Sequence, residues 1–157
     1  MRTRRQLRRR ERGQTLAEFA IILPIVFLLI AGFVDLTRVY NAWVSVEGAA
    51  REGARYGVTG QDDCAGATDN RVACIQYLAK QRTKGLANST DVTVTVRSWD
   101  YPDYASPATE GSAGVACDAL EVQVDYAFKP AIFTVLFGSV SIKGRERLVN
   151  EPWNDCT

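Results

Sequence analysis

Leu16-Ala17-Glu18-Phe19-Ala20-Ile21-Ile22-Leu23-Pro24-Ile25-Val26-Phe27-Leu28-Leu29-Ile30-Ala31-Gly32-Phe33-Val34 is the stretch on which the reading of this chain turns. Apart from Glu18 it is continuously apolar, and as a helix rising about 1.5 Å per residue it spans about 29 Å. The hydrocarbon core of a bilayer is about 30 Å thick. A helix packed into a small soluble core carries a polar face, and this stretch has none, so it is expected to cross a membrane. Upstream, residues 1–13 hold seven Arg and one Glu, a net of +6. By difference from the 19 basic and 18 acidic groups of the chain, residues 14–157 hold 12 and 17, a net of −5. The overall charge of +1 therefore conceals a basic head on an acidic body. Arginines on one flank and Asp35 on the other orient the span with its N-terminus in the cytoplasm and residues 35 onward outside.

The chain has 157 residues and no histidine. Its length fits one domain, or one domain with an appendage, and the missing histidine excludes His-based acid/base chemistry, His metal ligands and Ser-His or Cys-His nucleophiles. No catalytic constellation converges elsewhere, and no enzyme activity or cofactor is expected. The stretch from Met1 to Gly13 has no apolar periodicity and too much like charge to pack, and is expected to be disordered or solvated. It lacks interleaved aromatics and abuts a membrane span, so it is not read as a nucleic-acid tail. A secretory signal cut beyond Val34 would need a small-x-small site, whereas Asp35-Leu36-Thr37-Arg38-Val39-Tyr40 offers none. The remaining arrangement places a cut before the apolar run.

Gly13-Gln14-Thr15-Leu16-Ala17-Glu18-Phe19 resembles the processing junction of type IV prepilins, where a basic leader ends in Gly and the fifth residue after it is Glu followed by Phe. The segment from Arg12 to Ala20, together with Ala49-Ala50-Arg51-Glu52-Gly53-Ala54-Arg55-Tyr56, is similar to the two signatures of TadE-like proteins, the pseudopilins or minor pilins of Tad (Flp) pili. The resemblance is close over residues 12 to about 57 and only architectural beyond. It implies processing between Gly13 and Gln14 by a prepilin peptidase, and an assembly role for Glu18 and Phe19. It also implies partnership with other pilin subunits and the Tad assembly machinery after residence in the lipid bilayer. Thr15 and Glu18 form a capping box on their own residues' account. A carboxylate inside an apolar span is costly unless partnered, and the resemblance supplies the α-amino group of Gln14 as that partner once the leader is gone. Pro24 is expected to kink the helix.

After Asp35 the pattern turns amphipathic, with Leu36, Val39, Trp43, Val46, Ala50, Gly53 and Gly57 on one face of a stem running from about Thr15 to Tyr56. Glu47 and Arg51 are spaced for an exposed ion pair, and the small residues from Gly48 to Gly57 permit close approach of another element. A polar loop over 61–70 precedes a short helix over 69–86 with Val72, Ile75, Leu78 and Ala79 on its apolar side. Alternation over 91–97, 120–128 and 140–149 predicts three or more antiparallel strands, giving an α+β class with a long N-terminal stem helix. The segments are a leader (1–13), a transmembrane and stem helix (14–57) and an extracytoplasmic domain (58–157). The long loop over 98–116, with Trp99, Tyr101 and Tyr104, reads equally as a binding loop or as packed turns.

Cys64, Cys74, Cys117 and Cys156 all fall outside by this topology, where an even count suggests disulfides. Cys64 with Cys74 closes a local loop, while Cys117 precedes the second strand and Cys156 follows the third. Antiparallel strands bring those last two ends together. The absence of a C-x₂-C pair argues against zinc, and Asp62-Asp63 and Asp100 with Asp103 read as solvated loops rather than a calcium site. Asn88-Ser89-Thr90 matches a glycosylation sequon. The expected function is a non-enzymatic pilin-like subunit in the cytoplasmic membrane and then in the pilus. The alternative is a membrane-anchored binding domain that never enters a filament.

Overall fold

The computed structural model describes the backbone of residues 3–65, 70–86, 89–132, 138–154 and 156, with side chains from Gln14 onward except Ser89. Helix α1 spans Thr3–Gly57 and passes through Pro24. It therefore begins before Thr15, because the Arg, Gln, Leu and Glu residues ahead of the junction are good helix formers. Residues 3–13 of the leader, expected to be disordered or solvated, are helical. The C-terminal end is set by Gly60, at φ +73, where a Cβ would come within 2.7 Å of the Trp153 ring. Only glycine takes that backbone conformation without strain.

Helix α2 spans Arg71–Arg82, and its N-cap Asn70 accepts a hydrogen bond from the Ala73 amide. Asp69, the expected first residue, lies outside the described residues, as does Asn88 of the sequon. A 3₁₀ turn at Ser89–Asp91 leads into β1 (Val92–Trp99), followed by β2 (Thr109–Glu110), β3 (Ala119–Phe128) and β4 (Val140–Val149). The sheet order is β2-β1-β3-β4, with neighbours antiparallel. Val94 stands opposite Val124, and Val124 opposite Gly144. The three strands read from alternation are present, and the two-residue β2 adds a fourth from within the long loop.

One sheet face carries Val92, Val94, Val96, Leu120, Val122, Val124, Tyr126, Phe128 and Ile142, and these join Val46, Ala49, Ala50 and Ala54 of α1 and Ile75 and Ala79 of α2 in one core. Full burial of a Leu or Ile side chain such as Leu120 or Ile75 contributes about 1.5–3 kcal/mol. The buried face of α1 is Asp35, Ala42, Val46, Ala49, Ala50, Gly53, Ala54 and Gly57. Leu36 and Trp43, expected on it, are 64% and 49% exposed. The reason is steric: a sheet lying close to a helix selects Ala and Gly on that side, and the bulky residues rotate away from it.

Contacts along α1 fix the direction of β4. Gly144 lies against Val46, Glu146 pairs with Arg51 at 3.7 Å, and the Glu151 amide donates to the Val58 carbonyl at 2.9 Å. Strand β4 thus runs in the same sense as α1, so its first residue, Val140, lies at the end of the head nearest the apolar run.

Candidate membrane and assembly interface

The apolar half of α1 is bare. Leu16, Phe19, Ile21, Phe27, Leu29 and Phe33 are each at least 60% exposed, and the most hydropathic 18-residue window of the helix is only 6% buried. In water so large an unbroken apolar surface is unstable; lipid or other apolar helices must cover it. The helix is compatible with a single-pass membrane anchor.

Within this surface the polar groups are few. The Gln14 side-chain amide donates to Glu18 at 3.1 Å, one helical turn away. The structure puts Gly13, Gln14, Glu18 and Phe19 on one uninterrupted helix. Thr15 is interior to that helix, so its capping role needs a helix that begins at the junction.

Where the apolar run ends, Asp35 is 6% exposed. Its two carboxylate oxygens accept hydrogen bonds from the amides of Ala131 (3.0 Å) and Ile132 (3.1 Å), and Arg38 stands 3.6 Å away. Charged acceptors make the stronger hydrogen bonds, so this carboxylate ties Ala131 and Ile132, just after β3, to the stem where the apolar run ends. The sequence marked Asp35 only as the end of the span; nothing in its spacing names two backbone amides almost a hundred residues away. One turn further, the Arg38 guanidinium lies 5.8 Å from the Phe128 ring centroid.

The stem is joined to the head by close backbone approach. A Cβ on Gly144 would stand 2.7 Å from the Val46 carbonyl oxygen and 3.0 Å from the Glu47 amide nitrogen. Arg51 bridges Glu47 (3.8 Å) on its own helix and Glu146 on β4, and Arg55 pairs with Glu52 at 3.5 Å. Arg51 is thus not only part of a solvated helix face.

At the far end of the head, Cys64 bonds Cys74 and Cys117 bonds Cys156, each with Cα atoms 5.7 Å apart. The loop of residues 98–116 is held by internal bonds. Asp118 accepts from the amides of Tyr101 (2.9 Å) and Val115 (2.7 Å), and Asn150 donates to the carbonyls of Ala113 and Val115. The Tyr104 hydroxyl donates to the Cys117 carbonyl at 2.7 Å, and Arg147 covers the Trp99 ring at 3.9 Å. Trp99 and Tyr104 are thus engaged in packing, while Tyr101 remains 50% exposed.

A shallow polar cleft beside this loop is lined by Asp62, Asn70, Arg71 and Gly111 to Gly114. Arg71 donates to the Gly114 carbonyl and lies over the Trp153 ring. Burial lowers its pKa, against the opposing pull of Asp118 and Asp62. The Tyr56 hydroxyl donates to the Asp63 carbonyl at 2.7 Å, and its pKa is raised by burial and then by the charges of Asp63 and Asp62. Among the described residues, no three His, Cys, Asp or Glu side chains gather as a metal site. Asp103 instead accepts from the Ala105 amide in a local turn.

A bare apolar helix thus continues without a break into a small disulfide-braced α+β head. Residues 13–55 match the family model described as TadE-like protein, so the stem of this chain is similar to that family. The match begins at the junction residue Gly13 and ends within the second signature. No curated protein and no solved structure matches the chain.

Proposed function

We propose that this chain is a non-enzymatic subunit of a Tad-type pilus, cut after Gly13 by a prepilin peptidase. It is held in the cytoplasmic membrane with residues 58–157 outside, and then transferred into a bundle with other pilin subunits. The observation that supports this reading best is the family match over residues 13–55, falling on a helix whose apolar half is left uncovered by its own head.

The chemistry of the cut gives Glu18 its role. Removing residues 1–13 creates a new helix start at Gln14, with a free α-amino group and unpaired amides in the first turn. Thr15 then becomes able to cap, and the Glu18 carboxylate lies favourably on the positive end of the helix dipole. The same carboxylate can pair with the Gln14 amine of its own or a neighbouring subunit. Two unit charges about 4 Å apart attract by about 1 kcal/mol in water and about 4 kcal/mol in a partly desolvated setting. The pairing thus strengthens as stems come together and exclude water from it, which fixes axial register. Helix association in lipid rests on packing and such polar contacts rather than on a hydrophobic drive.

The test is Glu18→Ala expressed in cells that make the pilus. The variant should insert into the membrane normally but be depleted from sheared filaments. Normal incorporation would remove the assembly role of this carboxylate and favour a head that is only tethered.

A further inference from the structure

We infer that α1 carries an outward coiled-coil seam through which two copies of this chain pair as parallel stems in the membrane. The inference rests on the membrane-anchor reading of α1 and adds to it a partner and a register.

Val26, Leu29, Phe33, Leu36, Tyr40 and Trp43 follow one another at alternating steps of three and four residues, and each is between 42% and 71% exposed. Phe19 and Ile22 extend the same phase toward the N-terminus. The seam thus runs unbroken over about three and a half heptads, the pattern of a left-handed two-helix supercoil. Inside the span this spacing decides nothing, because the residues around it are apolar as well. Beyond the span it discriminates. Thr37 and Asn41, on the neighbouring sector of the helix, are exposed and polar, whereas Leu36, Tyr40 and Trp43 keep the seam in phase. Leu36 and Trp43 each follow a residue buried on the head side, Asp35 and Ala42, which puts the seam about 100° round the helix from the head. A second stem can therefore lie along it without displacing the sheet.

Lipid does not cover the outer part of this seam. Asp35, held by the amides of Ala131 and Ile132 with Arg38 beside it, marks where hydrocarbon gives way to polar surroundings. Trp43 stands about 13 Å beyond Val34 along the helix, while the headgroup layer adds about 5–7 Å on each side of the hydrocarbon. Tyr40 and Trp43 therefore reach past the level where lipid shields an apolar side chain, and a protein surface has to cover them. A second copy is the occupant whose seam has the matching length and height. Every copy enters the bilayer in the same sense and carries Asp35 at the same level, so the two seams meet without stagger, Leu36 beside Leu36 and Trp43 beside Trp43. The charges at the upper end suit this arrangement. Glu47 continues the phase, and Arg51, one turn on and 3.8 Å from it, has a side chain 68% exposed, within reach of Glu47 on the other copy. Each chain thus brings one cation and one anion to the end of a two-fold interface.

The test uses the purified full chain in lipid vesicles, as a mixture of two differently tagged copies, with a photo-crosslinking phenylalanine analogue in place of Leu36, Tyr40, Trp43, Thr37 or Asn41. The expected result is capture of the other tag from Leu36, Tyr40 and Trp43, with yields several-fold lower from Thr37 and Asn41. Combining Leu36→Ala and Trp43→Ala with the probe at Tyr40 should cut capture about tenfold, the scale of losing interface anchors, while the chain stays in the membrane through an alkaline carbonate wash. These side chains are exposed, so their truncation leaves the core of the head intact. Adducts to lipid alone at the three seam positions, or equal capture from Thr37 and Asn41, would overturn the pairing and leave the anchor in place. Unchanged capture from the double alanine variant would overturn the seam as its basis. Release of the unsubstituted chain by carbonate would mean that the anchor reading itself has failed. In membranes of cells that make the pilus, capture of a different protein in place of the second copy would assign the seam to that protein and overturn the inference.

Discussion

Replacing Gly144 by alanine tests how the head is fixed to the stem. The added Cβ would lie 2.7 Å from the Val46 carbonyl oxygen, 2.8 Å from the Val46 carbonyl carbon and 3.0 Å from the Glu47 amide nitrogen. All three are backbone atoms of α1, so no side-chain rotation relieves the contact. Strand β4 must retreat from the helix by several tenths of an ångström, taking Ile142 with it. Overpacking of this kind costs about 1–3 kcal/mol, and rigid backbone on the receiving side favours the upper part of that range. The opposing benefit of alanine over glycine in a strand is small. A loss of about 2 kcal/mol shifts the folding equilibrium roughly thirtyfold. Gly48 supplies the contrast, because it lies on the same helix with nothing within 4 Å of its Cβ position. Alanine there should stabilise by up to about 1 kcal/mol through helix propensity alone. Urea unfolding of both variants in micelles, with disulfides intact and tryptophan fluorescence as the signal, reads the two midpoints. A Gly144→Ala protein with the wild-type midpoint would refute the close approach of β4 to α1.

Further outcomes follow from the same geometry. Removing Cys117–Cys156 by paired serine substitution should destabilise by about 4 kcal/mol, against about 3 kcal/mol for Cys64–Cys74, since loop entropy grows with loop length and the separations are 39 and 10 residues; equal losses in thermal unfolding would contradict this ordering. The Tyr56 phenol has its pKa raised above the ordinary 10.0, so the folded state holds that proton more tightly than the unfolded state. Its contribution is present below 10.0 and is lost as pH rises through the folded value, and Tyr56→Phe should flatten that alkaline fall in stability. Replacing Gly13 by a bulky residue should leave a longer, uncleaved chain that still enters the membrane; a gel mobility equal to that of the processed wild type would count against cleavage at that junction.

Much of the architecture was legible because it rests on periodicity. The unbroken apolar run, the period-two alternation of the three long strands and the even set of outer cysteines each describe a local pattern that survives folding. The stem face was less legible. Spacing alone placed Leu36 and Trp43 inward, whereas the buried side of the stem carries Ala42 and Ala49, so residue size decides where hydrophobicity does not. Asp35 illustrates a different limit: its burial depends on the amides of Ala131 and Ile132, and sequence spacing does not reveal tertiary partners. The strand β2 was hidden because two residues carry no period. Gly144 gave no signal within its strand, since its importance lies in the backbone of another element. At the candidate processing site, Gly13, Glu18 and Phe19 were recognised by resemblance, and the physical contribution of the fold is a continuous helix on which a cut after Gly13 would create a capped start.

The central claim concerns the form in which the protein works, and the mass and N-terminal sequence of the chain extracted from membranes of cells carrying a prepilin peptidase test it most directly. The account predicts a mature chain beginning at Gln14, lacking the seven arginines of residues 1–13 and retaining the whole apolar stem. An intact Met1, or a first residue beyond position 40, would contradict it.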